Sequence, residues 1–313
     1  MTIKPLLIYN PTADKGNAGK RMTVVLSLLA ERAFDYDLAI TQAVGHAQSL
    51  GQQAVEQGRE LVIAAGGDGT VNETINGLMR AGVNGKKRPA LGVLPVGRGN
   101  DFAFGMGIPQ RIEKACDTLV QGRRQLIDIG QVAGGDYPDG RYFGNGVGLG
   151  FDTVVGFEAA RFKWLKGEAS YLAAVIKTIF LYAKAPIYEI VIDDELIRQP
   201  FLMVSIMNGQ RMGGAFMMAP DSQPGDGSFD LCLAGEVNQM RILPLAATFI
   251  RGKQKDDPAI RMRRARRVSI HAIEGSIPAH ADGETLCTAG QRLSIEIHPG
   301  ALEVITAANG AAS

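Results

Sequence analysis

Cysteine is scarce in this chain, net charge is nearly absent and long apolar runs are missing; each shortage removes a class of protein. Three cysteines in 313 residues, Cys116, Cys232 and Cys287, are odd in number and far apart without metal-ligand spacing. That excludes a disulfide framework and a zinc knot and predicts reduced thiols in the cytosol. Thirty-three Lys and Arg against 32 Asp and Glu leave a net charge of +1. No nucleic-acid partner is expected from so small a charge, and contact with an anionic surface must come from a local patch. No run of about 18 apolar residues occurs, so no spanning helix is predicted. Met1 to Pro5 lead into a strand pattern without the apolar core and cleavage site of a signal peptide, and a cytoplasmic protein is the expectation. Internal repeats are missing too, and the one biased stretch, an Ala/Gly-rich tail at 307–313, is expected to fray.

What is there is ordinary in bulk and specific in detail. Hydrophobic residues at 46% and charged ones at 21% suit a soluble globular protein, and 313 residues suit two domains with a core each. The most informative segment is Gly66-Gly67-Asp68-Gly69-Thr70-Val71-Asn72-Glu73. Leu61 to Ala65 before it reads as a buried parallel strand, and Thr70 onward reads as a helix. The loop therefore sits at a helix N-terminus, where free N–H groups and the dipole favour an anion and glycines admit a phosphate to the backbone. Asp68 contradicts a passive phosphate site unless a divalent cation or a proton-accepting role offsets the repulsion. Phosphoryl transfer resolves that conflict. Thr70 to Glu73 also matches a capping box, which makes Glu73 a cap first.

Strand-like and helix-like patterns alternate over residues 1–132, predicting a doubly wound α/β domain that binds a nucleotide. Its strands are expected at Leu6–Tyr9, Tyr36–Thr41, Leu61–Ala65, Ala90–Leu94 and Leu126–Val132, and its helices at Gly19–Arg32, His46–Gln57, Thr70–Arg80 and Arg111–Gln121. Ligands gather at the turns after the strands of such sheets. From about residue 133 to 300 the pattern becomes β segments, at Tyr142–Gly148, Tyr188–Asp193, Phe201–Asn208, Phe229–Leu233, Arg267–Ala272 and Leu293–His298. These predict a β-sandwich second domain with helical insertions, joined near Gly130 to Asp139.

Several further segments carry candidate chemistry. Asn10-Pro11 ends the first strand and opens a loop with Asp14, Lys15, Lys20 and Arg21; it is not a Walker A, since Asp14 stands where its first glycine is needed. His46, at a helix start, is read as packed on its turn. Leu94-Pro95-Val96-Gly97-Arg98-Gly99-Asn100-Asp101 is a second glycine loop in the same topological position as the first. Arg98 either pairs with a phosphate or points to solvent, and Asn100-Asp101 suits a helix cap. Gly144 to Asp152 lacks G-x-G-x-x-G spacing and reads as a glycine-rich strand open to close approach of a backbone or acyl chain. Asp226, between Gly225 and Gly227, suits a hard cation or a plain turn. Asp282-Gly283-Glu284 is the third acidic element.

Taken together, from Asn10-Pro11 through Gly66-Gly67-Asp68-Gly69, Leu94 to Ala103, Asp226-Gly227 and Asp282-Gly283-Glu284, the chain resembles the diacylglycerol kinase catalytic family, in particular the bacterial lipid kinases related to diacylglycerol and sphingosine kinases. The order of separated motifs carries this; the GGDG core alone also occurs in NAD kinases and phosphofructokinases. Arg98 departs from the pattern, standing where a threonine is usual. The resemblance implies an ATP- and Mg2+-dependent lipid kinase with its nucleotide cleft between two domains, and a tail from about residue 301 that packs back on the first domain. It implies ATP contacts at Asn10, Thr41, Gly66, Gly67, Asp68, Gly69, Thr70, Val71, Asn72, Gly97, Arg98, Gly99, Asn100 and Asp101. It places a cation at Asp226 with the carbonyls of Gln223 and Ser228, and a catalytic base at Glu284, a role for which Asp68 competes. The lipid substrate requires peripheral contact with a membrane. Arg251 to Arg267, with eight Lys and Arg against two Asp, reads either as a solvated basic loop or as a contact for the anionic surface, and Phe157 to Ala185, with Phe162, Trp164, Leu165 and the apolar stretch Tyr171 to Ala183, either as ordinary core or as an entrance for acyl chains. An NAD kinase and a non-catalytic ATP sensor are the alternatives; which lipid is used and the oligomeric state are not legible.

Overall fold

In the computed structural model, residues 3–82, 87–161 and 185–307 are described. The apolar runs near the N-terminus form four parallel strands, β1 (Leu6–Tyr9), β2 (Asp37–Ile40), β3 (Leu61–Gly66) and β4 (Ala90–Pro95), in the order β2-β1-β3-β4. Strands β1, β3 and β4 are buried along their whole length, as strands covered on both faces must be. Helices α1 (Asn17–Glu31), α2 (His46–Glu56), α3 (Asp68–Ala81), α4 (Asp101–Gly105) and α5 (Ile112–Gln121) complete the α/β domain. The first turn of α3 starts at Asp68, not at Thr70.

The long strand β5 (Arg123–Gly134) leads into the second domain: β6 (Tyr137–Phe143), β7 (Gly146–Gly150), α6 (Phe151–Arg161), β8 (Ile187–Ile192), β9 (Glu195–Met207), β10 (Phe229–Gly235), α7 (Gln239–Ile250), β11 (Ile260–Ala265), β12 (Arg267–Glu274), β13 (Ile277–Ala281), β14 (Glu284–Gly290) and β15 (Arg292–Thr306). It is a β-sandwich of antiparallel pairs. Strand β9 joins the layers, pairing with β8 up to Pro200 and with β10 and β7 from Phe201 onward. Inward residues of both layers, among them Tyr188, Ile190, Phe201, Ile206, Leu231, Ile270 and Ile295, share one core.

Strand β15 belongs to both domains. Leu293 to His298 pair with β5, while Val304 pairs in parallel with Leu91 of β4. Leu302, Val304 and Ile305 are buried in the first-domain core. The strand expected at Tyr142–Gly148 is broken at Gly144-Asn145, because the N–H groups of Gly144, Asn145 and Gly146 turn inward and donate to the Asp282 carboxylate. The basic stretch Arg251 to Arg267 contains β11, paired antiparallel with β10 from Ala234↔Ile260 to Phe229↔Ala265. Among the described residues no helix is long and apolar enough to cross a membrane. Phe162, Trp164, Leu165 and the stretch 171–183 lie outside the described residues.

Candidate active site

Every parallel strand delivers a loop to the same edge of the sheet, and backbone hydrogen bonds lock the loops to one another. Asn10 N–H donates to Ala65 O at 2.9 Å, Thr41 N–H to Tyr9 O at 2.9 Å, and both Val96 and Gly97 N–H to Gly66 O at 3.1 Å. Asn10 Nδ2 donates to Thr70 Oγ1 at 2.9 Å and Asn100 Nδ2 to Gly97 O at 3.1 Å. Close approach of the two glycine loops explains their composition: a Cβ on Gly97 would collide with the Gly67 backbone, and one on Gly99 would lie 2.8 Å from Asp68 Oδ2.

Two cavities open on this edge. One, of about 470 Å³, is lined by Asn10, Thr41, Gly67, Asp68, Gly69, Thr70, Gly97, Arg98, Gly99 and Glu284, all expected from the sequence, and by Thr12, Asp14, Gln42 and Glu73 besides. The other, of about 570 Å³, lies between the domains; it shares Asp68, Arg98 and Gly99 with the first and adds Asp101, Asp152, Phe157, Met212, Phe216, Met218, His280 and Asp282. Glu284 is brought over the loop by the β13–β14 turn, with Oε1 only 2.7 Å from where a Cβ on Gly69 would stand. A carboxylate of the second domain thus sits against the residue next to Asp68.

The electrostatics centre on Asp68. Burial, then the neighbouring Asp101 and Asp282, push its carboxyl up to about 7, against the lowering effect of the Phe102 N–H that donates to Oδ1 at 3.0 Å. Burial also raises Asp101, opposed by the Gly214 N–H and by Arg211, whose Nε donates to it at 2.8 Å. Asp101 and Asp282 are already satisfied by Arg211 and by four N–H donors, and among the described residues no group of three or more His, Cys, Asp or Glu is placed to hold a metal ion, so Asp68 is the one carboxyl of the three left facing the phosphate-sized space. Arg98 is mostly exposed and ion-paired to Asp14 at 3.3 Å, so it lines both cavities from their rim.

Other expectations are corrected. Val71 and Asn72 do not face the nucleotide-sized cavity: Val71 is packed in the core, and Asn72 is fully buried, donating to Asp282 Oδ2 and accepting from Arg141 Nε and Nη2. Gly66 and Asn100 support the loops from behind, and Asp101 lines the interdomain cavity and holds Arg211 rather than capping α4. Glu73 caps a helix other than its own. Its carboxylate accepts from Gly45 N–H at 2.8 Å and Ala47 N–H at 3.1 Å, at the start of α2. His46 is packed on its turn, accepting the Gln42 N–H at 3.1 Å. Gln223, Asp226 and Ser228 share a tight turn away from both cavities. Gln223 O already accepts the N–H groups of Gly225 and Asp226, and the Asp226 carboxylate is taken by Arg264 and by Ser228 N–H. In this arrangement Arg264 supplies the positive charge beside Asp226. The three thiols are inert: burial pushes Cys116 to about 11 and Cys232 to about 12, and raises Cys287.

Sequence reasoning missed Asp152 and His280, 3.6 Å apart on the interdomain cavity wall. They occupy the space over Gly148, where a Cβ would meet both. It also missed Arg211 and the part played by Asp282, whose four donors lie up to 210 residues away in sequence.

Residues 4–132 match the model of the diacylglycerol kinase catalytic domain, and residues 145–306 that of the YegS C-terminal NAD kinase beta sandwich-like domain. The diacylglycerol kinase of Bacillus subtilis (strain 168) is 32% identical over 280 residues, covering 89% of this chain and 88% of its own length. This chain belongs to the diacylglycerol kinase catalytic family. Within that family, the diacylglycerol kinase of Mycobacterium tuberculosis (strain ATCC 25618 / H37Rv) is 26% identical over 98% of this chain and 96% of its own. A crystal structure of a candidate diacylglycerol kinase from Bacillus anthracis str. Sterne superposes with a TM-score of 0.77 at 25% identity, over 97% of this chain and 95% of that one. Yeast NADH kinase shares the fold alone, with a TM-score of 0.50 at 11% identity. The chain is therefore a phosphotransferase.

Proposed function

We propose that this kinase transfers the γ-phosphoryl group of ATP to the hydroxyl of a lipid of the diacylglycerol type, with Mg2+ as cofactor. One observation carries the reading: Asp68 lines both cavities, one polar and glycine-walled, the other walled partly by Phe157, Met212, Phe216 and Met218. A donor and an amphipathic acceptor placed in them meet at that carboxyl. The N–H groups opening α3 and the glycines of both loops receive the phosphates, with Asn10, Thr41 and Thr70 on the nucleotide side and Arg98 at the rim. Mg2+, when bound, neutralises charge on the transferring phosphates, and Asp68 is the residue that would hold it. Glu284 accepts the proton of the acceptor hydroxyl as the oxygen attacks. No step uses the Asp226 turn.

The test is labelled ATP with Mg2+ and a panel of micellar lipids, read by chromatography of the organic phase. Label in a lipid product, lost in Asp68→Ala and Glu284→Gln, is the expected result. Label in NAD and in no lipid would overturn the reading, as would tight ATP binding without turnover.

A further inference from the structure

Helix α7 is apolar on two faces. Ile242, Leu245 and Phe249 are buried against the second domain and, with Ala246, roof a small apolar cavity. On the other side Met240, Leu243 and Ile250 stand 85%, 45% and 55% exposed. With the half-buried Ala247 they recur at i, i+3, i+7 and i+10, one stripe along the helix. Single exposed apolar residues are ordinary, but a helix apolar all round is normally covered all round. Pro244 interrupts neither stripe, and Asn238 caps the helix through Met240 N–H at 3.1 Å, so the segment is a formed helix.

Charge frames the stripe. From residue 239 to 267 the chain carries nine Lys and Arg against two Asp. Arg251 and Lys253 follow the last turn of α7, and Arg261 and Arg263 stand exposed on β11. Of the two aspartates, Asp257 is paired with Arg241 at 2.8 Å. Other elements supply carboxylates to three of these cations, Glu195 to Arg263, Asp221 to Lys255 and Asp226 to Arg264, which leaves Arg251, Lys253 and Arg261 to face an anionic surface. An apolar stripe bordered by cations matches the boundary of an anionic bilayer, where headgroups meet the cations and acyl chains meet the stripe.

The cavity under α7 continues inward. It shares Asp152, Phe216 and Met218 with the interdomain cavity, which in turn reaches Asp68. We propose that α7 is the membrane-docking element of this kinase, lying in the interface of an anionic bilayer with Met240, Leu243 and Ile250 inserted, and that an acyl chain passes under it toward the phosphoryl-transfer site. The second half rests on the lipid reading above; the docking does not.

The experiment is flotation of the full chain with phosphatidylcholine vesicles containing roughly 30 mol % phosphatidylglycerol. Wild type floats with these and less with neutral vesicles or in high salt. Leu243→Glu/Ile250→Glu reduces the bound fraction by about tenfold or more, with an unchanged thermal unfolding midpoint. Leu196→Glu, on a side chain 61% exposed at the β8–β9 hairpin, floats like wild type. A double variant that floats as well as wild type, or a wild type that ignores anionic vesicles, overturns the docking. A wild type that floats through α7 but labels no lipid sinks the acceptor reading and leaves the docking standing; lipid labelling with undiminished flotation of the double variant does the reverse.

Discussion

Burial of the Asp68 carboxyl costs the folded protein stability. It pushes that carboxyl up to about 7 in the native state, against an ordinary value of about 4 in the unfolded chain, so between those values the native state holds a proton that the unfolded chain has lost. Stability therefore falls as pH rises from about 4 to about 7 and is level above that, a change of roughly 4 kcal/mol at most. Asp68→Asn keeps the shape without the charge. In urea unfolding it gains more stability at pH 8 than at pH 5, while phosphoryl transfer falls by about a hundredfold or more. A variant as pH-sensitive as wild type would show that another group sets the slope. Gly97 is a neighbouring test of backbone contact. Since a Cβ there strikes the Gly67 backbone rather than a flexible side chain, Gly97→Ala forces the two loops apart, and we expect the dissociation constant for ATP to rise by about tenfold or more while the midpoint of thermal unfolding drops.

At the scale of elements, α3 is held by the second domain as much as by its own. Asn72 and Asn76 donate to Tyr142 O at 3.0 and 2.8 Å, and Asn72 also reaches Asp282, which gathers three N–H groups of the β6–β7 turn. Asp282→Asn leaves two of those donors facing an NH2 group; the expected cost is about 2–4 kcal/mol in denaturant unfolding, with lowered turnover because Glu284 follows two residues on. Unchanged stability would mean that the turn is held by something else. None of this was legible in the sequence, where Asn72 read as a nucleotide contact and Asp282 as part of an acidic turn, because their partners are set by topology alone. The α/β strands were legible because fully buried runs such as Leu61–Ala65 are flanked by glycine turns. Strand β11 and helix α7 were not: Ile260–Ala265 carries three arginines in six residues, and α7, apolar on two faces, lacks the one-sided period that marks a surface helix. The Thr70–Glu73 spacing matched a local cap, but α3 starts two residues earlier, which moves Thr70 into its first turn and frees Glu73 to cap α2.

At the scale of the whole molecule, a division at residue 132 separates loops well and cores badly. The first-domain sheet runs β2-β1-β3-β4 and then β15, so β4 has its second neighbour only because the end of the chain returns. Strand β5 likewise pairs with β15 from Arg123↔Thr306 to Gly134↔Leu293. A fragment of residues 1–132 would expose the edge of β4 and the apolar contacts of Leu302, Val304 and Ile305, each less than 10% exposed in the intact chain, an open and apolar edge of the kind that aggregates. We expect that fragment to be insoluble. Fusing residues 292–307 to it through a flexible linker restores the missing strand and should recover a soluble, cooperatively unfolding domain that binds ATP weakly, because Glu284 and the Asp101–Arg211 contact are still lacking. Solubility by centrifugation and cooperativity by thermal circular dichroism check this directly. A soluble, cooperative 1–132 fragment would mean that the returning strand only decorates the first domain; an insoluble one rescued by sixteen residues from the far end means that the first domain's sheet is incomplete without β15.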